Sequence, residues 1–203
     1  MATTIYTYEN PVSEKDISRI VEILNNDGVI CYPSDVNWAF GAKATSKKAI
    51  DKLVKLKPNH PKDKPFALVF SSISQVSEYA SVDNFAYRHL KKLLPGPYTI
   101  ILPRAKNLPK QLDDKRRVVG VRVPNRELVL KIIEALEVPL VTSSVPENAD
   151  NSYCTQGFEI EEKFGHALDG IIELGIVVDH QETTVLDLSE GELCVIREGV
   201  GPI

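Results

Sequence analysis

The chain has little of what usually announces a metal centre, a disulfide framework or a membrane span. Its three cysteines, Cys31, Cys154 and Cys194, are scattered without a CxxC pair, so neither a disulfide scaffold nor a zinc site is suggested. The four histidines, His60, His89, His166 and His180, form no i, i+4 pair and have no cysteine near them in sequence. No apolar run approaches the roughly 18 residues of a membrane-spanning helix. The N-terminal stretch MATTIYTYENPVSEKD lacks the basic and apolar regions of a signal peptide. Internal repeats, low-complexity tracts, a clear linker and an RNA-recognition aromatic motif are also missing. These absences point to a soluble cytoplasmic protein with no resident metal ligands. At 203 residues it is long enough for a substantial core. We expect a single domain over 1–203, because Gly199–Ile203 leaves no room for a further C-terminal one.

What the chain does have is an uneven charge distribution. The formal net charge is only -4, from 24 basic and 28 acidic residues. Residues 43–126, however, hold 19 Lys and Arg against 6 Asp and Glu, a local +13, between acidic flanks. Such a concentration can focus a field for phosphates even in an acidic protein. It can equally pair with the acidic C-terminal part inside one folded body.

The richest stretch is Val29–Lys64. An apolar run, Val29 to Tyr32, meets a polar turn at Pro33-Ser34-Asp35, and a second turn is expected at Gly41. Ser46 then caps a helix whose apolar side is Ile50, Leu53, Val54 and Leu56. Lys48, Lys52 and Lys55 share one face of that helix, and Lys57 ends it before Pro58. The arrangement suits a polyanion; an ordinary solvated helix after a buried strand is the plainer alternative.

Elsewhere helix and strand patterns alternate. Ser13-x-x-Asp16 opens a helix on Ile17, Ile20, Val21 and Leu24, and Asn25-Asn26-Asp27-Gly28 closes it. Strands are expected at 29–32, 66–70, 98–102, 118–123, 139–143, 176–179, 184–188 and 193–197. Further helices are expected near 72–80, 84–94 and 127–136, with Asp83 capping the second of these. Arg122 interrupts the apolar run VVGVRVP: it either snorkels to water from an edge strand or projects into a cleft, where its fork would bind a carboxylate or phosphate. Thr142-Ser143-Ser144 places three hydroxyls at a strand end, where open α/β sheets commonly gather ligands. The fold class is α/β (α+β) on one mixed, twisted open sheet with flanking helices and a basic cleft.

Five segments in order, CYPSDVNWAFGAKA, KLKPNHPKDKPFAL, LLPGPYTIILP, VGVRVPNRELVLKIIEALEVPLVTSSVP and TTVLDLSEGELCVIREGVG, give the chain its resemblance to the YrdC/YciO family, the threonylcarbamoyl-AMP synthase fold. The family's YPTxxxYGLG stands here as YPSDVNWAFG, and Ala39 in place of glycine leans toward the YciO branch. The resemblance implies condensation of ATP, L-threonine and bicarbonate to threonylcarbamoyl-AMP and pyrophosphate, for modification of a tRNA adenosine. It implies Mg²⁺ carried with ATP. It also implies residue roles: Ser34 at the substrate-contacting threonine, Lys57 at the lysine of Lys-x-Arg, and Lys64 at a second lysine. Arg122 would hold the threonine carboxylate, Ser144 is the serine of Ser-x-Asn, Thr183 and Thr184 match a Ser-Thr pair, and Arg197 faces the nucleotide. Lys57 and Arg122 are the catalytic candidates; no side-chain nucleophile is needed when a carbamate attacks phosphorus.

Two positions depart from the family pattern. Asn59 replaces the arginine of Lys-x-Arg, and Pro146 replaces the asparagine of Ser-x-Asn. His60, Lys62 or Lys64 could compensate for the first, Asn148 or Asn151 for the second. The alternative function is therefore a YciO-type module that binds nucleotide, tRNA or double-stranded RNA with weak or no synthase turnover.

Overall fold

The computed structural model describes residues 2–61, 65–106, 108–112 and 117–203. In chain order the elements are β1 (Thr3–Tyr6), α1 (Glu14–Asn25), β2 (Val29–Pro33), β3 (Trp38–Lys43), α2 (Lys47–Leu56), β4 (Ala67–Val69), α3 (Ile73–Tyr79) and α4 (Asn84–Leu93). There follow β5 (Tyr98–Pro103), β6 (Val118–Arg122), α5 (Glu127–Leu136), β7 (Leu140–Ser144), α6 (Gly157–Phe164), β8 (Gly170–Glu173), β9 (Thr184–Asp187) and β10 (Cys194–Arg197). The strands form one mixed sheet in the order β1-β8-β2-β3-β7-β4-β6-β5-β9-β10.

Helix ends follow local chemistry. Ser13, Ser46, Ser72 and Asp83 each accept a backbone N–H three residues on. At the end of α1 the left-handed position is Asp27, with φ 58°, and the Gly28 N–H donates to the Ile23 carbonyl. Gly28 is needed for a different reason: a Cβ there would lie 2.5 Å from the Ile23 carbonyl oxygen.

The period-2 alternation of strand side chains divides the interior into two cores. On one face Cys31, Phe40, Leu68, Ile100, Val121 and Val141 pack under α2, α3, α4 and α6. On the other, Ile30, Tyr32, Ala39, Val69, Leu140 and Ile172 pack under α1 and α5. Central strands covered on both sides read as continuous apolar runs, which is why VICY is recognisable as a strand. The α1–α5 layer reaches only from β1 to β4 in the sheet order. Beyond it the same face of β6, β5 and β9, together with Ala67 of β4 and Thr142 and Ser144 of β7, has no helix over it among the described residues, and that bare surface becomes the floor of a cleft.

Several sequence expectations need correction. Gly41 is not a turn but lies within β3, where a Cβ would come to 2.8 Å from the Tyr32 ring. The hairpin turn is Ser34–Asn37, closed by the Ser34 N–H to the Asn37 carbonyl at 2.8 Å. Residues 176–179 are not a strand; the strand in that region is β8, and β1 pairs with it in parallel. Arg122 does not sit on an edge: β6 lies between β4 and β5. The edge strands are β1 and β10.

Candidate functional site

The cleft has a volume of about 810 Å³. Its floor alternates small and polar side chains: Ala67 on β4, Thr99 and Ile101 on β5, Val118, Gly120 and Arg122 on β6, Thr142 and Ser144 on β7, Val185 on β9. Each of these points away from the apolar residue beside it in the strand, so the same alternation that fills the opposite core builds this floor. Walls come from Lys57, His60 and Phe66 after α2, from Val145–Glu147 and Tyr153 after β7, and from His180, Glu182, Thr183 and Arg197.

Arg122 is the deepest charge. Its Nη2 donates to Asp35 Oδ1 at 2.7 Å, and both side chains are only 7% exposed. Asp35 also accepts the Asn125 N–H at 3.1 Å. Arg122 Nε is buried and has no partner. A buried donor without an acceptor carries a desolvation cost that a ligand acceptor would relieve, and Arg122 lines the cleft.

A second cation stands at the end of α2. Lys57 Nζ donates to the Ser144 carbonyl at 2.9 Å, tying the helix end to the hydroxyl-bearing end of β7. Burial in the cleft wall holds the Lys57 amine below its ordinary pKa. The Ser144 hydroxyl accepts from Asn37 Nδ2 at 3.1 Å, so its own proton is directed elsewhere. Asn37 donates as well to the Gln181 carbonyl at 3.0 Å.

On the far wall, Arg197 donates from Nε and Nη2 to the Thr183 carbonyl at 3.2 and 2.9 Å, and from Nη2 to Thr183 Oγ1 at 3.1 Å. An irregularity of register between Val195 and Arg197 on β10 accompanies this orientation. The Thr183 and Thr99 hydroxyls share a 3.0 Å bond. At the mouth, Tyr153 and His180 stack at 3.4 Å between ring centroids. Burial lowers the His180 pKa, against the pull of Glu182 and Glu147. It also raises the Tyr153 phenol, helped by the same two carboxylates.

Of the residues singled out from sequence, Lys57, Arg122, Ser144, Thr183 and Arg197 are brought together around one cleft. Ser34 is placed outside its lining: its hydroxyl donates to the Asn37 carbonyl at 2.7 Å and organises the hairpin turn. Thr184 is fully buried, with Oγ1 donating to the Gly201 carbonyl and accepting the Gly199 N–H. Lys62 and Lys64 lie outside the described residues. Pro146 lines the cleft. Asn59 borders a second, adjoining cavity instead. Asn148 donates to Ser152 Oγ at 2.7 Å within its own loop, and neither it nor Asn151 lines the cleft.

Two of the three lysines that share one face of α2 have acidic neighbours. Lys48 pairs with Asp27 and Lys52 with Asp169. Together with Arg122–Asp35 and Arg126–Glu9, these pairs join the basic middle of the chain to its acidic flanks. Asn37, Tyr153, His180, Glu147 and Glu182 were missed. Asn37 alone left a signal, as the one polar residue in VNWAF; the others are assembled from loops without periodicity. No group of three or more potential metal-ligating side chains occurs among the described residues, and no helix there is long and apolar enough to cross a membrane.

A family model for Sua5, YciO and YrdC, described as "Telomere recombination", matches residues 22–199. Escherichia coli YciO is 32% identical over 204 residues, covering 100% of this chain and 98% of its own. Its crystal structure superposes with a TM-score of 0.90. A putative threonylcarbamoyl-AMP synthase of Methanocaldococcus jannaschii is 30% identical, over 90% of this chain and 84% of its own. The crystal structure of Pyrococcus abyssi Sua5 complexed with L-threonine is 25% identical with a TM-score of 0.85; it covers 98% of this chain, which spans 58% of that protein.

Proposed function

This chain belongs to the Sua5/YciO/YrdC family, and from that premise we propose that its cleft binds ATP and L-threonine and performs threonylcarbamoyl-AMP synthesis. The observation that carries the reading is the buried, unpartnered Arg122 Nε in a cleft that also holds Lys57, Ser144 and Arg197. A carboxylate receptor beside a phosphate receptor suits an amino acid and a nucleotide together. Related proteins are named threonylcarbamoyl-AMP synthases, and one Sua5 is seen with L-threonine.

In this reading Arg122 takes the threonine carboxylate, and Asp35 holds its guanidinium in place. The threonine amine and bicarbonate form a carbamate with loss of water. A carbamate oxygen then attacks the α-phosphorus, the bond to the β-phosphate breaks, and pyrophosphate leaves. Lys57 and Arg197 balance charge growing on the phosphates, and the Ser144 hydroxyl donates to a phosphate oxygen. Thr183 fixes Arg197. Mg²⁺ would arrive on the ATP phosphates and balance their charge.

A second reading has its own observation. Pro146 faces the cleft without an amide or an N–H, and the side chain of Asn148 is committed to Ser152. A charge-assisted hydrogen bond contributes about 1.5–3 kcal/mol, and loss of one transition-state donor lowers rate by on the order of 10²–10³. Under this reading the protein binds nucleotide with little turnover. The ion pairs that neutralise the basic middle favour a nucleotide over a duplex RNA as the ligand.

The experiment is pyrophosphate release from ATP, Mg²⁺ and bicarbonate, with and without L-threonine. Threonine-dependent release above that of Lys57→Ala supports the synthase. ATP binding without release selects the binding module, and absence of both refutes the site.

A further inference from the structure

The main cleft adjoins a second cavity of about 640 Å³ that the synthase reaction does not use. The two share Lys57, His60, Pro146 and Glu147 as a common wall. We infer that this second cavity is an anion subsite, taking phosphate groups that lie beyond the triphosphate of a nucleotide seated in the main cleft. The inference rests on the nucleotide reading of that cleft.

Charge and geometry support it. The exposed Lys55 and Lys163 line the cavity, and Lys57 stands on the shared wall. Lys55 lies on the same face of α2 as Lys48 and Lys52, which are engaged by Asp27 and Asp169. Among the described residues neither Lys55 nor Lys163 is held in an ion pair. Helix α2 therefore turns its neutralised lysines toward acidic neighbours and its unpaired one toward the cavity.

Asn59 and Pro146, the two departures from the family motifs, both line the second cavity, and Pro146 also lies on the wall shared with the main cleft. Pro146 brings no polar side-chain group to that wall, and Asn59 brings a short neutral amide to the cavity rather than a cation. Glu147 is the one carboxylate on the wall among the described residues, and it interacts with the Tyr153 phenol at the cleft mouth. The carbonyl ends of α2 and α6 border the cavity and disfavour an anion there. Lys55 and Lys163 are the charges that offset them for an anionic ligand.

The chemistry indicated is phosphate rather than carboxylate. Lysines act as point charges suited to phosphate oxygens, whereas planar carboxylates are best met by an arginine fork, and no arginine lines the cavity among the described residues. A ligand continuing past Lys57 would extend the phosphate chain already held there. The class is a nucleotide with more than three phosphates in line.

The test is calorimetric binding of ATP, adenosine 5′-tetraphosphate and inorganic tripolyphosphate at one fixed ionic strength. Wild-type protein and the double variant Lys55→Ala/Lys163→Ala are compared, with Trp38 emission reporting that both are folded. The tetraphosphate should bind the wild type about threefold to fivefold tighter than ATP, the range expected for partly exposed charge pairs. The double variant should lose that advantage while its ATP affinity changes less than about twofold. A tetraphosphate that binds no tighter than ATP overturns the subsite and leaves the nucleotide reading standing. An advantage that survives in the double variant does the same. If ATP does not bind at all, the nucleotide reading fails; tripolyphosphate binding weakened by the double variant then retains the subsite, and binding that is absent or unaffected overturns it too.

Discussion

Asp35→Ala should be among the most damaging single substitutions in this protein, although Asp35 sits in a hairpin turn. The carboxylate is the one hydrogen-bond partner of the Arg122 guanidinium among the described residues, at 2.7 Å, with both groups 7% exposed. Truncation leaves a buried guanidinium whose Nε is already unpartnered, and breaking such a pair costs about 3–5 kcal/mol. It also strips the Asn125 N–H of its acceptor. For a chain of this size each kcal/mol moves Tm by about 2–4 °C, so the expected loss is roughly 6–20 °C. Arg122→Met should cost a similar amount by stranding Asp35. The double variant Asp35→Ala/Arg122→Met removes both charges and should return to within about 1–2 kcal/mol of the wild type. Urea unfolding followed by emission of the single tryptophan, Trp38, which is 2% exposed, reads all three. Saturating L-threonine at about 100 times its Kd should add about 2.7 kcal/mol to the wild type and nothing to either Arg122 variant. A loss below about 1 kcal/mol for Asp35→Ala, or strict additivity in the double variant, would refute the argument that Asp35 balances a buried charge.

Other expectations can be checked independently. Because burial lowers the Lys57 pKa below 10.5, ATP phosphates beside it should raise it again; binding should therefore take up protons at alkaline pH below 10.5, measured by calorimetry in buffers of different ionisation enthalpy, and Lys57→Ala should abolish the uptake. Without ligand the sign is equally fixed: the unfolded chain keeps the Lys57 proton longer, so this group's contribution to stability rises with pH between its lowered value and 10.5, and falls as pH drops through the lowered value. Gly41→Ala places a Cβ 2.8 Å from the Tyr32 ring and should destabilise by about 1–3 kcal/mol in urea unfolding; a neutral result would mean the Tyr32 ring shifts freely despite its 2.9 Å bond to Thr142. His180 should titrate below 6.5 by NMR because burial disfavours its charged form, and Tyr153→Ala should move it upward by opening that side of the ring to water. Stability carried by the neutral His180 is complete above pH 6.5 and declines as pH falls toward its lowered value.

How much of the site was legible depends on how local its signal is. Lys57 could be read because it ends a capped, amphipathic helix, and Ser144 because three hydroxyls close a strand. Arg122 stood out as a charge in an apolar strand, but the choice between an edge and a cleft required knowing that β4 and β5 flank β6. Ser34 and Thr184 show the opposite case. Both were singled out from the resemblance, and the fold gives their hydroxyls backbone partners: the Asn37 carbonyl for one, the C-terminal tail for the other. Thr183, one residue away, has the opposite strand face and opens onto the cleft. A period of two makes neighbouring residues so different, and only the register assigns which is which.

Short-range physics let the sequence by itself determine the helices with side-chain caps, the buried strand VICY, the family and the cationic middle. Capping, amphipathic spacing and apolar runs act within a few residues and leave their mark there. Tertiary structure alone decided which lysines of α2 are neutralised, where the α1–α5 layer stops, and therefore where the sheet is left bare to form a cleft. It also brought Tyr153 to His180 and Asn37 to Ser144 across long stretches of chain. Those contacts depend on strand order, and strand order is set by the summed burial of two cores rather than by any one segment.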